Sequence, residues 1–341
     1  MQRFDCPVCP VELHFDNFAC LSCGTQVGYA PEREVFLPLP APGESDAHVP
    51  CANRESARCN WLVAPGAGAF CLACRHNRTV PDLQAPVNAA RWRNIELAKR
   101  YLFYSLLKWR LPRPTQAESP NGLAFDFLAE AGPDAPVLTG HAGGLITVNI
   151  AEADDAEREA RRSKLGEPYR TLIGHMRHEV GHFYWEILVR DAGKLEAFRA
   201  VFGDERARYD AALQAHYSQG PPTGWRKSYI SAYAAAHPWE DFAETWAHYV
   251  HMIDALETAH AFGMTVRGHG PGASEHQIEA NPYKHGTIAD LLADWVPLTV
   301  ALNCLNRSLG QPDFYPFVLS TPVKRKLSFI YDLIHEAAGS D

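Results

Sequence analysis

Eight of the nine cysteines lie before residue 75 of a 341-residue chain, and they are spaced in a way that narrows what that end can be. Cys6-Pro-Val-Cys9 is followed ten residues later by Cys20-Leu-Ser-Cys23. Two C-x-x-C knuckles offer four thiolates to one point, each turning the backbone so that both sulfurs face the same ion. The second set, Cys51, Cys59, Cys71 and Cys74, contains one knuckle and two spread cysteines, and His48 or His76 is an alternative ligand there. The first residues show no basic stretch followed by an apolar run, no run of eighteen apolar residues occurs, and the C-terminus has no lipidation signal. The expectation is a cytoplasmic, membrane-free protein, where thiols stay reduced and paired cysteines are metal ligands before they are disulfides. Both sets then read as structural Zn²⁺ sites, since four protein ligands leave no open position. The ninth cysteine, Cys304, lies in the apolar stretch TVALNCLNR and reads as a packed core thiol.

The rest of the chain is of a different kind. Residues 1–80 are rich in Cys, Pro and Gly and contain no Lys, and their short apolar pairs suggest small hairpins. A linker or long loop is expected over 36–50. From residue 88 the pattern becomes helical, over 88–109 and then roughly 155–162, 168–190, 193–217, 239–261, 286–308 and 321–337. Two β-rich runs, 122–129 and 144–150, precede the long helices. The fold class expected is α+β: a β-rich zinc-ribbon module over 1–80, a connecting helix over 81–114, and a mostly helical domain with a small sheet over 115–341. Hydrophobic residues make up 46% and charged residues 21%, enough to bury a full core without staples. Net charge is −8, and residues 1–80 hold eight acids against six arginines, so no basic stripe marks a nucleic-acid partner.

The second feature is His178-Glu179-Val180-Gly181-His182. On a helix, residues four apart lie one turn apart on one face, so both imidazoles can ligate one Zn²⁺. Glu179 then reaches a metal-activated water as general base. In a chain with 16 histidines, H-E-x-x-H arises by chance roughly one time in twenty, so its surroundings matter. Leu172, Ile173, Met176, Val180, Phe183, Tyr184, Ile187 and Leu188 enclose it, which makes a buried helix, and buried histidines need a partner. A catalytic zinc also needs a third protein ligand. Glu240, in His237-Pro-Trp-Glu-Asp-Phe-Ala-Glu-Thr-Trp-Ala-His248, is the candidate, with His248, His251 and Asp241 as weaker rivals. Glu244, one turn on, can accept a hydrogen bond from the far nitrogen of a ligand histidine such as His178.

H-E-x-x-H followed by a helix with E-x-x-x-[DE] resembles the gluzincin metallopeptidases, and this resemblance implies Glu240 as third zinc ligand with Glu244 behind it. The stretch from Tyr233 to Glu244 is similar to the catalytic domain of lethal-factor-type toxins, where a tyrosine seven residues before the ligand glutamate stabilises the oxyanion. That implies the role for Tyr233, with Tyr229 or Tyr249 as substitutes. More specifically, the chain resembles a bacterial family of zinc-binding metallopeptidases with an N-terminal zinc-ribbon domain. The residues that carry this are the CPVC and CLSC knuckles, Cys51 to Trp61, Asn77–Pro81, Gly166–Arg170 through His182, His237–His248, Leu305–Arg307 and Tyr315–Phe317. The resemblance implies a zincin fold and hydrolysis of peptide bonds in a peptide or protein substrate. The absence of a G-x-M-E-N motif argues against aminopeptidase activity.

Further expectations follow for the surroundings. The resemblance to zincins implies that the strand 144–150 is a sheet edge, where an extended substrate can add, with a plain core strand as the alternative. Glu152, Asp154 and Asp155 read as a solvated helix start, and Arg307 as a helix C-cap. The alternative function is an inactive zincin that binds a protein partner through its ribbon. An intact Glu179 argues against it.

Overall fold

The computed structural model describes residues 1–39, 47–130, 132, 136–158, 171–267, 275–278, 281–284 and 286–339. Three small antiparallel hairpins come first: β1 (Phe4–Asp5) with β2 (Glu12–Leu13), β3 (Val27–Ala30) with β4 (Val35–Pro38), and β5 (Val49–Pro50) with β6 (Leu62–Val63). Strands this short do not hold themselves together. An aromatic cluster does it for them. Phe4, Phe15, Tyr29, Phe36 and Trp61 are all buried, with Phe4–Tyr29 ring centroids 5.5 Å apart and Phe15–Tyr29 5.1 Å apart. A Cβ on Gly28 would lie 2.3 Å from Leu62 Cδ2, so β3 meets the β6 side chains only because it carries glycine there. Helix α1 (Pro86–Lys108) packs on the same cluster through Tyr101 and Tyr104, whose rings lie 5.1 and 5.5 Å from Phe15. Of the expected linker, residues 40–46 lie outside the described residues, and its two ends are strands β4 and β5.

A four-stranded sheet follows in the order β7-β8-β10-β9: β7 (Asn77–Thr79), β8 (Ala124–Leu128), β9 (Gly140–Ala142) and β10 (Leu145–Asn149). β7, β8 and β10 run parallel, and β9 closes antiparallel on β10. The first four residues of β8 are buried, as for an inner strand covered on both faces. The edge reading for 144–150 is corrected here. β10 has a neighbour on each side, and β9 is the edge. Gly143 and Gly144 turn the chain between them with φ of +53° and +82°, a turn that needs glycine at both places.

The remaining described residues are mostly helical. Helix α2 (Leu172–Trp185) carries His178 to His182 and passes into one wide π-helical turn, Glu186–Arg190. The expected helix over 193–217 is two, α3 (Leu195–Phe202) and α4 (Tyr209–Gln219), because Gly203 adopts φ +103° and ends the first. Helix α5 (Pro238–Ala261) has Pro238 in its first turn and is buried along most of its length. Hairpin β11 (Thr265–Arg267) with β12 (Glu275–Gln277) precedes α6 (Ile288–Ser308) and α7 (Thr321–Ala338). Ser320 caps α7 through the Val323 N–H, as its sequence implied. The expected helix 155–162 is seen over 155–158, and its remainder lies outside the described residues.

Helix α6 is the one helix among the described residues long and apolar enough to cross a membrane by length and composition. Much of it is exposed, Val300 at 58% and Leu305 at 60%. Cys304 is exposed as well, which corrects its reading as a core thiol: the apolar stretch around it belongs to an uncovered helix face. Contacts divide the chain into two compact units. Among the described residues, one runs over 3–158 and 171–183, the other over 1–2 and 184–339. The cysteine-rich segment, α1 and the four-stranded sheet fall in the first, and α3 to α7 in the second.

Candidate metal centres

The two cysteine sets assemble as their spacing implies. Cys6, Cys9, Cys20 and Cys23 bring their sulfurs within 4.8 Å of one another, and so do Cys51, Cys59, Cys71 and Cys74. Individual Sγ–Sγ distances are 3.8 Å for Cys6–Cys23, 3.6 Å for Cys9–Cys20, 3.7 Å for Cys59–Cys71 and 3.8 Å for Cys59–Cys74. A tetrahedron with zinc–sulfur bonds of about 2.3 Å has edges of about 3.8 Å, so both sets fit zinc. Neither alternative histidine joins the second set. His48 pairs with Glu32, and His76 donates from Nδ1 to the Leu123 carbonyl at 2.8 Å. Cys74 lies 3.5 Å from Glu96, which forms a fully buried ion pair with Lys99.

Helix α2 is buried from Met176 to Trp185, as the apolar surroundings of the motif required. His178 is 7% exposed, Glu179 5% and His182 4%. The Nε2 atoms of the two histidines stand 3.2 Å apart, with the rings edge to face. Two nitrogens bound to one zinc at about 2.0–2.1 Å in tetrahedral geometry would be about 3.3 Å apart, so this donor pair also fits zinc. The ring of His141 on β9 stacks 6.2 Å from that of His182.

Glu179 accepts a hydrogen bond at Oε1 from His175 Nε2, 3.1 Å away. Burial pushes the Glu179 carboxyl up. The bond from His175 and the charges of His175, His178 and His182 outweigh it and hold the group below the usual carboxylate range. His175 Nδ1 in turn faces Glu152 Oε2 at 2.5 Å. Burial opposes a charge on His175, but the two carboxylates overcome it and raise the imidazole to about 9. The helix-start reading of Glu152 is thereby corrected: this residue is 2% exposed and serves α2, whereas Asp154 pairs with Arg91 and Asp155 with Arg158.

On α5, Glu240 is 1% exposed and accepts a hydrogen bond from the Tyr209 hydroxyl at 2.6 Å. His237 caps the helix: its Nδ1 accepts from the Trp239 N–H and its Nε2 donates to the Ala207 carbonyl. Glu244 accepts from Ser231 at 2.5 Å, and Ser231 also accepts from the Ala234 N–H, tying down the turn that holds Tyr233. Tyr233 is half-buried, and burial, with the charge of Glu240, raises its phenol well above the ordinary value. The rivals are otherwise engaged. Asp241 pairs with Lys326 at 2.6 Å, and His248 bonds the Tyr315 hydroxyl and lies against Phe317, with His251 stacked edge-on to it. Arg307 forms a two-pronged pair with Asp313 rather than a helix cap.

Two residues at the site escaped the sequence reading although a signal existed for one. His175 stands four residues before Glu179, the helical spacing of a facing pair. Tyr209 carries no local sign of its bond to Glu240. Of the motifs that carried the resemblance, Gly166–Arg170 lies outside the described residues.

A family profile described as "Putative zinc-binding metallo-peptidase" matches residues 88–333, and a zinc-ribbon domain profile matches residues 3–85. Uncharacterized proteins of Mycobacterium tuberculosis strain H37Rv and of Mycobacterium bovis are each 41% identical over 342 residues, covering 99% of this chain and 96% of theirs. No solved structure matches the chain.

Proposed function

Because the chain belongs to the zinc-binding metallopeptidase family, we propose that it hydrolyses peptide bonds at a zinc held by His178, His182 and Glu240. The observation that carries this reading is the pair of buried imidazole nitrogens 3.2 Å apart, with Glu179 beside the first. Bound zinc supplies Lewis acidity, which polarises a carbonyl and makes a water acidic enough to lose a proton near neutral pH. Glu179, with its carboxyl below the usual range, is ionised at that pH. It takes the proton from the attacking water and passes it to the leaving amine. The Tyr233 phenol keeps its proton and donates to the developing oxyanion. Tyr209 fixes one oxygen of Glu240. The two four-sulfur sets hold structural zincs, and the substrate is a peptide or protein.

Zinc per chain, measured on purified wild type and on Glu240→Ala, tests the ligand set. Three zincs falling to two in the variant is the expected result. Two in both proteins overturns it. Glu179→Gln should keep three zincs and lose cleavage of a peptide library by about 10²–10⁴-fold. A Glu179→Gln protein as active as wild type would remove the general base from the mechanism.

A further inference from the structure

We propose that His175 is a positioning residue: its ring, braced from behind by Glu152, holds the Glu179 carboxylate in the one orientation a general base needs. The inference rests on the peptidase reading above.

The geometry is a chain of bonds between buried and half-buried groups. His175 Nε2 meets Glu179 Oε1 at 3.1 Å, and His175 Nδ1 meets Glu152 Oε2 at 2.5 Å. Carboxylates accept and do not donate when ionised, so both ring nitrogens must carry protons to serve both partners. A neutral imidazole satisfies only one of them. The brace continues beyond Glu152. Its other oxygen accepts from the Thr139 hydroxyl at 2.7 Å, and that hydroxyl accepts from the Asn149 N–H at the end of β10. Glu152 therefore cannot swing without breaking a bond to the sheet. His175 and Glu179 share one helix face a turn apart, so the helix itself sets their spacing. With Oε1 fixed, Oε2 of Glu179 is presented in one direction. A buried carboxylate without such a partner would sample other rotamers, and small misplacements of a reacting group have large effects on rate. His175 touches neither substrate nor metal in this scheme and acts only through Glu179.

The test uses the full-length zinc-loaded protein with His175→Ala, His175→Gln, Glu152→Gln and the double variant His175→Ala/Glu152→Gln. Zinc content and thermal melting are read first, then kcat and KM separately on a peptide the wild type cleaves. His175→Ala should keep three zincs and a KM within about twofold, and lose kcat by about 100-fold. His175→Gln, whose amide still offers a donor toward Glu179, should recover part of the loss. The double variant should be no worse than His175→Ala alone, because both changes break one chain of bonds. Unchanged kcat in His175→Ala, or losses that multiply in the double variant, would overturn the proposal. If His175→Ala does not fold, His175→Gln and Glu152→Gln carry the same comparison. If the wild type cleaves no peptide, it is the peptidase reading that has failed. The brace is then read from histidine-selective ¹⁵N spectra. Glu152→Gln and Glu179→Gln should each move the His175 ring signals, and signals unmoved in both would show that no brace exists.

Discussion

At His76 the ring is buried, packs on Phe103 with centroids 5.0 Å apart, and donates from Nδ1 to the Leu123 carbonyl. Its Nε2 is buried with no hydrogen-bond partner among the described residues. A proton there would place a charge in the core, so burial, assisted slightly by nearby cations, lowers this imidazole to about 4. Between pH 4 and 6.5 the unfolded chain then binds more protons than the folded one. Stability contributed at neutral pH is lost as pH falls through that window, by about 2 kcal/mol at pH 5. Denaturant unfolding at pH 7.5 and pH 5 should show a steeper fall for wild type than for His76→Phe, and equal falls would contradict the assignment. His76 stands two residues from a cysteine knuckle, and sequence alone left it open as a ligand. What removed it was Leu123, 47 residues away, which no local pattern reports. Glu152 was misread for the same reason. Its acidic neighbours suggested solvent, and only the fold brings His175 to it. That His178, Glu179 and His182 share one buried helix was legible because helical spacing is local.

Among the elements, the long helices followed their apolar periodicity closely, and the failures came where short strands and breaks decide. β9 is three residues, Gly-His-Ala, with little strand propensity, and it exists because the turn at Gly143–Gly144 folds it onto β10. The turn makes a sharp demand. At Gly144, φ is +82° and an added Cβ would lie 2.2 Å from the Asn121 carbonyl oxygen, whereas at Gly143 the nearest atom is 3.7 Å away. Gly144→Ala should destabilise the protein by about 2 kcal/mol or more. Gly143→Ala, strained in φ alone, should lose less. Urea unfolding of both variants measures the order, and a reversal would mean the Asn121 loop yields easily.

For the whole molecule, the division of labour between a cysteine-rich end and a helical remainder was legible from composition. The α+β class followed from it. Zinc removal should separate the two kinds of structure. In a reduced protein, a strong chelator that strips the four-sulfur sites removes the folding energy of strands too short to persist alone. Hydrogen exchange should then lose protection over residues 3–80 and keep it in the middle of α5. Protection that survives over 3–80 after complete metal loss would show that the aromatic cluster suffices. The wide turn at Glu186–Arg190 has a consequence for lineage. Its backbone bond from the Asp191 N–H to the Glu186 carbonyl spans five residues instead of four, which amounts to one amino acid inserted into an ordinary helix. A homologue lacking that amino acid would keep the histidine motif intact and rotate everything downstream by about 100°. A single-position gap here, in an alignment otherwise free of them, would therefore mark a branch of the family whose motif no longer faces the same partners.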